Sequence, residues 1–312
     1  MSSTSHKEDS LARNESVAIL SPLGTQKSSF APITDKTVDA WLSLRFADNE
    51  GKTRLMERSH FGQLLVQKPF YLREEDREVC HTIIVHPPAG VCGGDELRLT
   101  SHVGAAGKVQ ITTPGASKWY KANGHISRQE VNLDVETGAA LEWLPQEAIF
   151  FDNAHVQLIN NITLAKDSTF ISCEILCFGR TRSGEFFNGG HITQRTKIHR
   201  EGKPIWFEQL QLAGGGPAMK SPLYLSGKTV CATLIAVGEA VPAELIASMR
   251  AEADTIANGV GHLGVSQLKS IVVARYLGDS SEVARRIMLH IWGALRPAML
   301  GRQAIVPRMW NT

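Results

Sequence analysis

The chain has 312 residues, a formal net charge of +2, 43% hydrophobic and 21% charged residues. This length allows one large domain or two small ones, and the composition is that of an ordinary globular chain. The near-neutral balance, with no basic cluster longer than Arg285-Arg286, argues against a nucleic-acid binder, which carries a dense basic face, and no window has the apolar length of a membrane span.

Residues 1–36 are polar and serine-rich, without a sustained period, and predict a disordered tail. The early apolar stretch Val17–Leu20 is too short for a signal peptide. The folded part is expected over residues 37–312. Trp41–Phe46 alternates in part, Leu64–Val66 ends at Lys68-Pro69, and Thr82–Val85 is a short apolar run stopped by Pro87-Pro88. Val131, Leu133 and Val135 alternate with Asn132, Asp134 and Glu136, which predicts a strand with one wet face.

A loose repeat runs through the middle. Leu97-Arg98-Leu99, Val131-Asn132-Leu133 and Ile162-Thr163-Leu164 are spaced by about 31 to 34 residues and lead through Gly104-Ala105, Gly138-Ala139 and Lys166-Asp167-Ser168 into second strands. Such a period predicts stacked strand–turn–strand layers, a mainly β, superhelical, solenoid-like domain. Two helices follow. The first opens after Pro242, carries the stripe Leu245, Ile246, Met249, Ala253, Ile256, and closes at Asn258-Gly259. The second runs from about Glu282 with Ser281 as N-cap, carries Val283, Ile287, Met288, Ile291, Trp292 and Leu295, and stops at Arg296-Pro297.

Few residues carry chemistry. Gly93-Gly94-Asp95-Glu96 is similar to a nucleotide-cyclase hairpin, but its neighbourhood is strand-rich rather than alternating helix and strand. Gly214-Gly215-Gly216-Pro217 is followed by no Lys-Ser/Thr and reads as a flexible loop, and there is no P-loop, dinucleotide fingerprint or nucleophile elbow. Asp95 and Glu185 are the acids a hydrolase could pair. The five cysteines, at 80, 92, 173, 177 and 231, predict reduced thiols in the cytoplasm. Cys173 and Cys177 fall on a strand, where four residues span about 13 Å, too far for one metal. Two acids stand out. Glu174 alternates onto the side of Phe170, Leu176 and Phe178, and Glu208 onto that of Trp206, Leu210 and Leu212. A carboxylate on an apolar face needs a partner, a proton, water or a cation. The alternatives are an internal salt bridge, to Arg180, Arg182 or Arg195, and a wet acidic passage for a divalent cation.

Several long motifs then converge. His86–Leu97, Thr112–Tyr120, Leu141–Glu147, Gly179-Arg180, Ser183-Gly184-Glu185, Arg275-Tyr276-Leu277, Leu295-Arg296-Pro297 and Pro307–Thr312 resemble, in order, the UreD (UreH) family of urease accessory proteins. The resemblance covers about residues 37–312. Ala89 stands where the family commonly has glycine, and Cys92 is unusual in the Gly-rich turn. The resemblance implies a β-rich superhelical fold with two helices and no enzymatic activity. It implies a scaffold or chaperone for nickel insertion into apo-urease, in complex with a UreF-type accessory protein and a UreG-type GTPase, with no nucleic-acid or membrane partner. It also implies no tightly bound cofactor, but a transient nickel passage with Glu78, Asp95, Glu174 and Glu208 along it and Ser117 nearby. The rivals are a pure interaction scaffold and a hydrolase.

Overall fold

The structure is a computed structural model that describes residues 39–75, 77–88 and 90–311; the tail expected over residues 1–36 lies outside them. In chain order the strands begin with β1 (Asp39–Asn49), β2 (Lys52–Phe61), β3 (Leu65–Val66), β4 (Cys80–Val85) and β5 (Glu96–Val103). They continue with β6 (Lys108–Thr112), β7 (Ser117–Trp119), β8 (Ser127–Val135), β9 (Ala140–Leu144), β10 (Ala148–Phe150), β11 (His155–Leu164) and β12 (Thr169–Phe178). After β13 (His191–Arg200) and β14 (Lys203–Ala213) come the short helix α1 (Pro217–Lys220), β15 (Val230–Val237), α2 (Ala243–Ala257), β16 (His262–Leu268), β17 (Ile271–Gly278) and α3 (Ser281–Leu300).

The predicted layers are the stacked coils β5–β6–β7, β8–β9–β10 and β11–β12. Their first strands build one sheet, ordered β14-β13-β11-β8-β5-β1-β2, parallel in its centre and closed at each edge by an antiparallel hairpin partner. Their second strands build the facing sheet, ordered β16-β17-β15-β12-β9-β6-β4-β3. A short third row runs β7–β10 and on to the second half of β12.

The register differs from the sequence match. Leu97 stands beside Gln129 and Val131 beside Asn160, so each coil slips two residues from the alignment of Leu97 with Val131 and Ile162. Strand side chains alternate with a period of two, so a two-residue slip leaves every inward residue inward. Ala106 and Gly138 turn equivalent corners with left-handed φ of 58° and 64°, and Ala106 N–H bonds the Thr137 carbonyl at 2.9 Å.

The inward faces of the two sheets enclose one apolar layer, with Leu44, Leu99, Leu133, Ile162 and Ile198 opposite Ile111, Trp143, Phe170 and Leu176. β12 is buried on both faces. Its other side, with Ile171, Ile175 and Cys177, packs under Met249 and Ala253 of α2 and Ile287, Ile291 and Leu295 of α3. Each such aliphatic residue contributes about 1.5–3 kcal/mol relative to exposure.

Helix α2 has its expected bounds, with Asn258 left-handed (φ 46°) at its C-cap. Helix α3 departs at both ends. Ser280, not Ser281, is the N-cap, its side chain accepting from Val283 N–H, and the helix passes through Pro297 to end at Gly301. Proline removes one intrahelical bond and crowds the carbonyl four residues back. Here that residue is Gly293, and only one turn follows before Gly301 N–H caps the Pro297 carbonyl at 3.0 Å. The Gly214–Gly216 segment is not slack either. A Cβ on Gly214 would stand 2.3 Å from the Gly189 carbonyl oxygen, so these glycines permit two chains to touch.

Candidate functional site

Two cavities lie between the sheets. The larger, about 460 Å³, reaches the edge formed by β14 and β16, where Glu208, Leu210, Leu223, His262 and Arg275 line it. The smaller, about 250 Å³, is lined by His86, Ser117, Trp119, Gln129 and Gln146 among others. Both are also lined by Val131, Trp143, Glu174 and Leu176. Glu174 therefore stands where the two cavities adjoin.

Strand register places polar groups in two facing rows. Across the first sheet, Asn160 of β11 pairs with Thr196 of β13, and Thr196 pairs with Glu208 of β14. Across the second, Glu174 of β12 pairs with Thr233 of β15, and Thr233 pairs with Arg275 of β17. All six residues line the larger cavity. The rows close at the sheet edge in a cross-sheet ion pair, Arg275 Nη2 to Glu208 Oε1 at 2.9 Å, and meet inside at Glu174.

At Glu174, Oε1 accepts from Asn160 Nδ2 at 2.9 Å and Oε2 from Gln194 Nε2 at 2.6 Å; Asn160 Nδ2 also donates to Thr196 Oγ1 at 3.2 Å. Burial pushes its carboxyl up to about 7; the two amide bonds pull it down and the Glu208 charge adds to the rise. No arginine, lysine or histidine nitrogen lies within 4.0 Å of it among the described residues. Other acids differ: Glu142 meets Arg296, Glu147 meets Arg285, and Glu185 meets Arg180. Glu174 is thus a shielded carboxylate with polar but uncharged hydrogen-bond partners.

The remaining expected residues are dispersed. Glu208 lies on the same cavity as Glu174, but its partner is Arg275, not Arg180, Arg182 or Arg195. Arg180 pairs with Glu185 and Arg182 with Glu282. Ser117 lines the smaller cavity and donates toward the Glu147 carbonyl at 3.4 Å. Asp95 is buried; its Oδ2 accepts from Cys92 N–H at 2.8 Å, and its Oδ1 has no hydrogen-bond partner among the described residues. Burial holds the His86 imidazole below its usual range, and the Asp95 carboxylate opposes that shift. Glu78 lines neither cavity; it binds Lys108 at 2.7 Å and also Arg302. The acid beside Glu185 is Asp152, whose N–H it accepts at 2.8 Å. No group of three or more His, Cys, Asp or Glu converges among the described residues. A cation here meets one carboxylate with amide and hydroxyl neighbours.

Two sets of residues escaped the sequence reading. Asn160 shares the strand face of Leu158 and Ile162, and Gln194 and Thr196 that of Ile192 and Ile198. The rule that located Glu174 points to them as well. The second set is a buried network away from the cavities. Glu142 accepts from Trp292 Nε1 at 2.7 Å and Arg296 Nε at 2.9 Å; Arg296 also binds Glu75 at 2.5 Å, and His81 joins Glu75. Burial works against the charge on Glu75, but His81 and Arg296 outweigh it and hold the carboxyl below its usual value. An arginine on the apolar stripe of α3 was the available signal.

Comparison with known proteins places the chain in a family. A family model described as UreD urease accessory protein matches residues 38–311. The chain is 54% identical over 279 residues to a protein of Nitrosospira multiformis named urease accessory protein UreD, covering 89% of this chain and 99% of that one. It is 52% identical over 288 residues to the protein of that name from Janthinobacterium sp. (strain Marseille), covering 92% and 96%. With the one from Dechloromonas aromatica it shares 43% identity over 274 residues, covering 88% and 94%. No helix among the described residues is long and apolar enough to cross a membrane.

Proposed function

The chain belongs to the UreD family of urease accessory proteins, and from that premise we propose that it serves urease maturation as a non-catalytic cytoplasmic scaffold that conducts nickel. In this reading it joins a UreF-type accessory protein and a UreG-type GTPase on apo-urease, and Ni2+ crosses it through the two adjoining cavities. Nickel is cargo here, held briefly and passed on. The observation that carries the passage is Glu174, an uncompensated carboxylate at the junction of the cavities. A half-buried, desolvated carboxylate of this kind gains most from a passing cation, because no guanidinium already neutralises it. Borderline divalent ions accept oxygen ligands. A single carboxylate with neutral neighbours favours transit over storage.

The ion pairs of Glu208 with Arg275 and of Glu78 with Lys108 and Arg302 favour the rival reading, an interaction scaffold with no nickel route. The two readings separate in cells that supply urease and the other accessory proteins. With Glu174→Gln, the passage reading expects an accessory complex that still co-purifies and urease that contains less nickel. Unchanged nickel content in urease would leave the scaffold reading standing.

A further inference from the structure

Resting on the passage reading, the geometry points to Asn160, Gln194 and Thr196 as positioning residues that make Glu174 a way-station for a divalent cation. We infer that the two amides hold the empty carboxylate across the lumen by N–H donation, then turn to offer their carbonyl oxygens when the cation arrives.

Both carboxylate oxygens of Glu174 accept from primary amides, at 2.9 and 2.6 Å, and Thr196 fixes the Asn160 amide at 3.2 Å. A side-chain amide carries an acceptor oxygen beside its NH2, and a half-turn about its last torsion exchanges them. An arginine or lysine at either position would satisfy Glu174 equally well in the empty state, but it offers no acceptor and repels the cation. Carboxylate and amide carbonyl oxygens together form a donor set for hard or borderline divalent cations. The three residues reach one point from two adjacent strands of the sheet facing Glu174: Asn160 from β11, Gln194 and Thr196 from β13. They line the larger cavity, and the row Asn160–Thr196–Glu208 leads from them to its edge. A polar cluster that only satisfied this acid would need donors alone.

The test uses the full chain with Gln194→Lys, Asn160→Asp or Glu174→Gln. Each is titrated with Ni2+ alone by calorimetry, melted, and supplied in cells to urease, whose nickel content is then measured. Gln194→Lys should keep the Tm, since lysine still donates to Glu174. It should nevertheless weaken Ni2+ binding by at least roughly tenfold, the loss of about 1.4 kcal/mol, and lower urease nickel. Asn160→Asp adds a second carboxylate and should tighten Ni2+ binding by roughly tenfold. Full retention of Ni2+ binding and urease nickel by Gln194→Lys, or unaltered binding by Asn160→Asp, would overturn the inference. If Glu174→Gln changes neither binding nor urease nickel, the passage reading itself fails. If Glu174→Gln lowers both while the amide variants behave as wild type, only the positioning role fails.

Discussion

Replacing Glu174 by glutamine should stabilise the protein in alkaline solution and not in acid. Burial pushes this carboxyl up to about 7 from the ordinary 4.5, so the folded chain keeps a proton that the unfolded chain releases. Stability is therefore lost as pH rises from about 4.5 to about 7. At about 1.36 kcal/mol per pKa unit, the full loss above that window is on the order of 3 kcal/mol. Glutamine never ionises and escapes it. It offers one acceptor oxygen where Glu174 offers two to the Asn160 and Gln194 amides, and the missing hydrogen bond costs about 1 kcal/mol. The net gain near pH 8 is then roughly 2 kcal/mol, or a few degrees in Tm for a chain of this size. Near pH 5 the variant should melt at or slightly below the wild-type temperature. Thermal melts of both proteins at intervals from pH 5 to pH 8 measure the difference directly. A Tm difference that stays constant with pH, or a variant less stable at pH 8, would refute the claim that Glu174 is an uncompensated, desolvated carboxylate.

Arg275→Met frees Glu208 at the sheet edge; because Arg275 is 54% and Glu208 29% exposed, stability should fall by less than about 1 kcal/mol, while Ni2+ affinity in calorimetry rises. An unchanged affinity would remove the ion pair from any part in the passage. Glu142→Ala leaves the buried Arg296 guanidinium with Glu75 as its remaining carboxylate and should lower the unfolding free energy by about 3–5 kcal/mol, read from the urea midpoint at constant m-value; a loss below about 1 kcal/mol would show that Glu75 alone compensates Arg296. Ile291→Ala, fully buried between α3 and the second sheet, should cost about 2–5 kcal/mol by the same assay, and a smaller loss would mean that the helix settles into the cavity.

The layered β architecture was legible because strand patterning is local. Alternation at Val131–Val135, turn residues at Gly138 and the spacing of Leu97, Val131 and Ile162 are all properties of neighbouring residues, and a two-residue error in register does not disturb them. The stripe of α3 was legible for the same reason, but its end was not. Whether Pro297 stops a helix depends on what stands four residues back and on Glu75 and Glu142, which hold Arg296 from segments far away in sequence. The inward direction of Glu174 and Glu208 likewise followed from alternation alone. Their electrostatic character did not, because it is set by what faces them across the sandwich: Arg275 for Glu208, and the amides of Asn160 and Gln194 for Glu174. By itself the sequence determined the family, the strand faces and the two acids. Only the tertiary structure decided which acid is neutralised and which is left bare, since charge compensation depends on distances between strands that alternation cannot supply.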